Sequence, residues 1–136
     1  MKLLKLKKVK LLVLTMMFML IAGFTFTGST STQAKAKKVT YLGKYKLTAY
    51  CGCRSCSGGW GNRTASGKKA KAGRTIAVDK RKIKLGTKVK IKGKTYVAED
   101  VGGGVKGKHI DIYFTSHKKV KKFGRKNNIK VYKIKK

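Results

Sequence analysis

Asp79, Glu99, Asp100 and Asp111 are the only acidic residues in a 136-residue chain that carries 36 Lys and Arg. Ordinary composition would supply about 16 at this length, so these four are not general surface charge. Asp79 follows Thr75 and Ala77 on one face of an alternating segment, with Ile76 and Val78 on the other. Asp100 shares a face with Tyr96 and Ala98, opposite Val97. Asp111 lies between His109 and Tyr113, whereas Ile110, Ile112 and Phe114 point the other way. One Asp at a strand end reads as a turn residue or a counter-ion. Three of them, on three strands of one small domain, point to a shared cleft. Glu99 points with Val97 and Val101 and is given no catalytic role. A cleft carboxylate suits glycosidic chemistry, which needs an acid still protonated near neutral pH to protonate the leaving oxygen. The positive field of the domain lowers an Asp pKa, while burial and a neighbouring carboxylate raise it. The sequence leaves that balance open.

Other side chains with chemistry to offer are few. Cys51, Cys53 and Cys56 form C-x-C-x-x-C, an odd count. A Cys53–Cys56 or Cys51–Cys56 disulfide, three reduced thiols, or a metal held by three thiolates with His109 or His117 are the open readings. Both histidines are distant in sequence, and a structural zinc site usually shows two paired ligand clusters. A disulfide or free thiols are therefore favoured, with no metal and no cofactor expected. A thiol nucleophile has no histidine close by. His109 is on the Asp111 face and either lines the cleft or is a half-exposed strand residue. Trp60, between Gly59 and Gly61, would stack on a sugar ring or plug a barrel mouth. Gly102, Gly103 and Gly104 directly after Asp100 permit close approach of a substrate, or form a plain turn.

The elements that must hold these residues are short. Segment 87–92 alternates most clearly, Val89 and Ile91 inward and the lysines outward; 74–78, 96–101, 109–114, 129–134 and, less regularly, 40–50 read likewise. Leu85-Gly86-Thr87, Lys92-Gly93-Lys94 and 102–104 mark turns. One helix is expected from an N-cap at Ser116 to about Phe123, ended by Gly124. Six short strands and one helix make an all-β domain, expected to be a small closed barrel.

The amino-terminal residues read as an export signal. Lys2, Lys5, Lys7, Lys8 and Lys10 precede an apolar run over 11–26, a polar stretch and Ala34-Lys35-Ala36. Positive flank, short apolar core and A-x-A imply a signal peptide over 1–36, cleaved to leave one domain, 37–136. The apolar run falls short of the roughly 20 residues a span prefers, so no membrane span is expected after cleavage. The formal charge is +32, of which about +26 lies on 37–136. Such a charge implies an acidic partner, and for an exported chain anionic wall polymers come first. The lysines are spread along the chain without a nucleic-acid motif, and no nucleic-acid partner is expected.

Several ordered motifs carry a resemblance. They are Thr48-Ala49-Tyr50-Cys51-Gly52-Cys53-Arg54-Ser55-Cys56-Ser57-Gly58-Gly59, Thr64-Ala65-Ser66-Gly67, Thr75-Ile76-Ala77-Val78-Asp79, Leu85-Gly86-Thr87, Ala98-Glu99-Asp100, Gly102-Gly103, Lys106-Gly107 and Ile110-Asp111-Ile112-Tyr113-Phe114. Together they resemble the three-aspartate (3D) domain family, over about residues 46–134. That family is similar to the catalytic barrel of membrane-bound lytic transglycosylase A. The resemblance implies a six-stranded double-psi β-barrel in a secreted, wall-located, Gram-positive-type protein. It implies cleavage of peptidoglycan glycan strands without water, with Asp111 as the acid and Asp79 and Asp100 shaping the site. Lys69, in Ser66-Gly67-x-Lys, matches a site lysine expected to pair with Asp79. Trp60, Gly102, Gly103 and Lys106 are the expected substrate contacts, and a monomer is expected. The alternative is a barrel that binds wall polysaccharide without cutting it.

Overall fold

The computed structural model describes residues 38–135. The signal segment expected over 1–36 lies outside them. In chain order the elements are β1 (Val39–Tyr50), α1 (Arg54–Ser57), β2 (Thr75–Val78), β3 (Lys88–Ile91), β4 (Lys94–Asp100), β5 (His109–Tyr113), α2 (His117–Phe123) and β6 (Lys126–Ile134). The six expected strands all form, with ends moved by one to three residues. Ser116 and Gly124 bound α2 as expected, while the single turn α1 was not anticipated. No described helix is long and apolar enough to cross a membrane.

The strands close into a ring in the order β1-β5-β2-β4-β3-β6, with β6 pairing back onto β1. Two pairings are parallel, β1 with β5 and β2 with β4; the others are antiparallel. The β3–β4 hairpin turns through Lys92 and Gly93, both at positive φ (46° and 80°), the twist that a two-residue hairpin loop needs. Inside the ring, Leu47, Ile76, Val78, Val89, Ile110, Ile112 and Val131 pack together, each inward by the alternation of its strand. Each such buried aliphatic contributes about 1.5–3 kcal/mol relative to exposure. Ile83, from the β2–β3 connection, joins them. A second, smaller cluster of Tyr50, Ala70, Ala77, Val105 and Tyr113 lies on the opposite face of β1, β5 and β2. It exists because the long β1–β2 connection folds back over that face, which is why all four residues of β2 are buried.

Candidate active site

Strand register builds the site. Thr48 on β1 pairs with Asp111 on β5, Asp111 with Ala77 on β2, and Ala77 with Asp100 on β4. Four adjacent strands thus set Thr48, Asp111, Ala77 and Asp100 in one row. Two inter-strand steps separate the two aspartates, about 10 Å between backbones. Ala77, the residue between them in the row, carries only a methyl group. The gap above it is a cleft of about 620 Å³, walled by Tyr50, Trp60, Ala65, Val101, Gly102 and Val105.

Asp100 reaches this row through an irregularity that simple alternation misses. Ile76 pairs with Ala98, but the next residue, Ala77, pairs with Asp100. Glu99 is the extra residue of a β-bulge. Ala98 therefore packs into the ring interior while Asp100 faces the cleft, not the Ala98 face expected from period two. Glu99 is 2% exposed and takes three hydrogen bonds, two from the Arg74 guanidinium (3.1 and 2.6 Å) and one from the Thr75 hydroxyl (2.7 Å). Burial raises its pKa, but the Thr75 and Arg74 bonds together outweigh that and hold the carboxyl below the usual range.

The three aspartates differ in how they are held. Asp100 accepts from the Tyr50 hydroxyl (2.7 Å) and from the backbone N–H groups of Ala65 and Val101 (2.9 Å each). Three donors thus occupy the Asp100 carboxyl group. Burial, followed by this bond to Asp100, pushes the Tyr50 hydroxyl well above its ordinary pKa. Asp79 is not in the cleft. It sits in an adjoining hollow of about 310 Å³ with Lys106, behind the loop of Val101, Gly102 and Gly103. Arg81 donates to it through its backbone N–H, Nε and Nη2 (3.0, 3.0 and 2.8 Å), and Gly107 N–H adds a fourth bond at 2.8 Å. The Arg81 side chain, then Gly107, hold its carboxyl far below the usual range. The cleft expected to gather three aspartates gathers two.

Asp111 is half-buried and accepts a single hydrogen bond, from the Thr48 hydroxyl at 2.7 Å. Burial raises its pKa, and the charge of Asp100 adds to that; the Thr48 bond and His109 act the other way. Thr48 Oγ1 is also 2.8 Å from His109 Nε2, and His109 Nδ1 is 3.1 Å from the Gly104 carbonyl oxygen. A carbonyl only accepts, so Nδ1 carries a hydrogen. Asp111, Thr48 and His109 thus form one hydrogen-bonded chain across β1 and β5. Neither Thr48 nor this role of His109 was read from the sequence; their pairing across β1 and β5 is the signal, visible only with the register known.

The remaining expected residues fall in three places. Trp60 stands at the cleft rim, 79% exposed, so it does not plug the ring. Gly102 and Gly103 border both the cleft and the Asp79 hollow. A Cβ on Gly102 would come within 2.8 Å of a Val105 methyl, which explains a glycine there. Lys69 lies in a separate hollow with Asn62, Arg63 and Lys68. Its expected pairing with Asp79 is replaced by the Arg81–Asp79 ion pair at 2.8 Å, because Arg81 is two residues along the same turn. The three cysteines are free, and His117, not His109, approaches them.

Comparison with known proteins adds family evidence. A protein of Bacillus subtilis (strain 168) named for a cell-wall-shaping role, YabE, is 38% identical over 84 residues, covering 58% of this chain and 20% of YabE. The chain thus spans about a fifth of that relative. Structures of the lytic transglycosylase MltA of Escherichia coli align at TM-score 0.47 with 27% identity, over 54% of this chain and 27% of MltA. MltA with bound chitohexaose aligns at TM-score 0.45 with 25% identity, over 53% and 27%. Residues 74–135, which carry β2 to β6 and with them Asp79, Asp100 and Asp111, match the model of the 3D domain family.

Proposed function

We propose that this chain is a peptidoglycan lytic transglycosylase acting at the cell wall, exported by the signal segment 1–36 and folded as a double-psi barrel. One observation carries the reading: of the four carboxyl groups, three are saturated with donors, and Asp111 alone is half-buried with one hydrogen bond and a raised pKa. The 3D domain match and the wall-shaping name of the Bacillus relative support the substrate class.

A single available carboxyl group limits the chemistry. Protonated Asp111 gives its proton to the oxygen between N-acetylmuramic acid and N-acetylglucosamine, and the C1–O bond breaks. The C6 hydroxyl of the same muramyl unit attacks C1 and returns its proton to Asp111. The product has a 1,6-anhydro end and no water is consumed. Asp100, across Ala77 in the same cleft, adds to the raised Asp111 pKa and faces the site where positive charge develops at C1. Trp60 stacks on a sugar ring at the rim. Gly102 and Gly103 let the strand pass close to the backbone towards Lys106.

The test is mass spectrometry of peptidoglycan digested by the protein and by Asp111→Asn. Anhydro-muramyl ends are expected from the first, with a drop of about 10²–10⁴-fold in the variant. Reducing ends would mean attack by water and overturn the single-carboxyl argument. No new ends, with the protein still sedimenting with walls, would leave a binding barrel.

A further inference from the structure

The proposed glycan cleavage makes no use of Cys51, Cys53, Cys56 and His117, yet the fold brings them together. Cys51 directly follows β1 and is 2% exposed. Cys53 caps α1, and one turn later Cys56 presents its sulfur on the same side. Sixty-one residues beyond Cys56, His117 opens α2. The parallel pairing of β1 and β5 closes that separation. Tyr50 is in register with Tyr113, and Phe114 N–H donates to the Tyr50 carbonyl at 2.8 Å. Both strands therefore end at the same edge, where the cysteine turn leaving β1 meets the helix α2 leaving β5.

The four ligand atoms lie within 4.8 Å of one another. Cys51 Sγ is 3.1 Å from Cys53 Sγ, and His117 Nδ1 is 3.7 Å from Cys53 Sγ and 3.3 Å from Cys56 Sγ. A tetrahedral zinc ion with ordinary bond lengths sets its ligands about 3.8 Å apart for two sulfurs and about 3.6 Å for sulfur and nitrogen. The two sulfur–nitrogen distances straddle that value. The sulfur pair, at 3.1 Å, needs to open by about 0.7 Å to reach that spacing. Three thiolates and an imidazole form a soft, four-ligand set that suits zinc rather than magnesium or calcium.

We infer that Cys51, Cys53, Cys56 and His117 form a closed structural Cys₃His zinc site that fastens the cleft-wall loop to α2. Three thiols give up protons on binding, leaving one net negative charge in a strongly basic domain. Cys56, Ser57, Gly58 and Trp60 of this loop all border the cleft. The ion therefore holds the rim without touching the chemistry, and the inference does not depend on the glycan-cleaving reaction.

Zinc content of the full chain, purified under reducing conditions, is the first measurement, followed by Co²⁺ titration of the metal-free protein. One zinc per chain and the visible absorption of a tetrahedral, sulfur-rich Co²⁺ site are expected. His117 is exposed, so His117→Ala should fold normally by circular dichroism. It should weaken Co²⁺ binding by about 100-fold or more, beyond what loss of an outer-shell partner causes. Trp60 is the one tryptophan, and its fluorescence anisotropy should fall when zinc is chelated. A reduced protein that takes up no stoichiometric metal, or a His117→Ala variant that binds Co²⁺ undiminished, would overturn the site. A Cys53–Cys56 disulfide in protein isolated without reductant, with no metal, would do the same. Unchanged Trp60 anisotropy on chelation would overturn the fastening role.

Discussion

Asp111 receives one hydrogen bond where Asp79 receives four and Asp100 and Glu99 three each. Opposite pH signatures in stability result. The folded pKa of Asp111 lies above its unfolded value, so its contribution is full below the unfolded pKa and lost as pH rises through the folded one. The folded pKa of Asp79 is depressed, so its contribution is present above the unfolded pKa and lost as pH falls through the folded one. Asp79→Asn should therefore cost most Tm near neutral pH and converge on the parent in acid. Asp111→Asn should compare worst with the parent in acid and best near neutral pH. Thermal melts across that range check both, and parallel curves would refute the assignment. Thr48→Val keeps a β-branched strand residue and removes the one donor to Asp111. Because that bond lowers the Asp111 pKa, the pH profile of glycan cleavage should shift to higher pH, with activity down at least about tenfold through loss of the Asp111–Thr48–His109 hydrogen-bond chain.

Among the elements, the short strand β2 has the largest effect on the cleft. Its neighbours each bring one aspartate, and Ala77 between them decides how much room is left. Ala77 is 2% exposed within the second cluster, so a larger side chain there costs about 1–3 kcal/mol of overpacking as well as narrowing the cleft it borders. Ala77→Leu should lower affinity for a peptidoglycan fragment by at least about tenfold, with a loss of Tm no larger than overpacking causes. Calorimetric titration and a melt together check this; lost Tm with unimpaired binding would remove Ala77 from the cleft floor. The β4 bulge matters as much. Without Glu99 as the extra residue, Asp100 would follow Ala98 by strict alternation and turn towards the ring interior.

At the scale of the whole molecule, charge dominates. A second groove, about 420 Å³, is lined by Lys90, Lys92, Lys130 and Tyr132 of the β3 and β6 side, with no acid among its lining residues. With only four acids to offset them, the lysines give a field suited to an anionic polymer. Sedimentation with intact walls should fall steeply as salt shrinks the screening length from about 10 Å at ~0.1 M to about 3 Å at ~1 M. Walls stripped of anionic polymers should lose that salt-sensitive part. Binding indifferent to both treatments would mean that the cleft alone holds the protein.

The sequence by itself determined the strands, α2 and the inward faces, because period-two alternation and the Ser116 and Gly124 caps are local properties of a few neighbouring residues. Val89 and Ile91 turned inward against exposed lysines on the pattern alone. The scarcity of acids likewise singled out Asp79, Asp100 and Asp111 before any contact was known. Tertiary structure decided what pairing decides. Register across β1, β5, β2 and β4 put two aspartates in one cleft and left the third in its own hollow. Arg81, closer along the chain than Lys69, took Asp79. A parallel strand pair carried His117 to cysteines more than 60 residues away. These outcomes depend on which strands lie side by side, and alternation within a single strand carries no record of its neighbour.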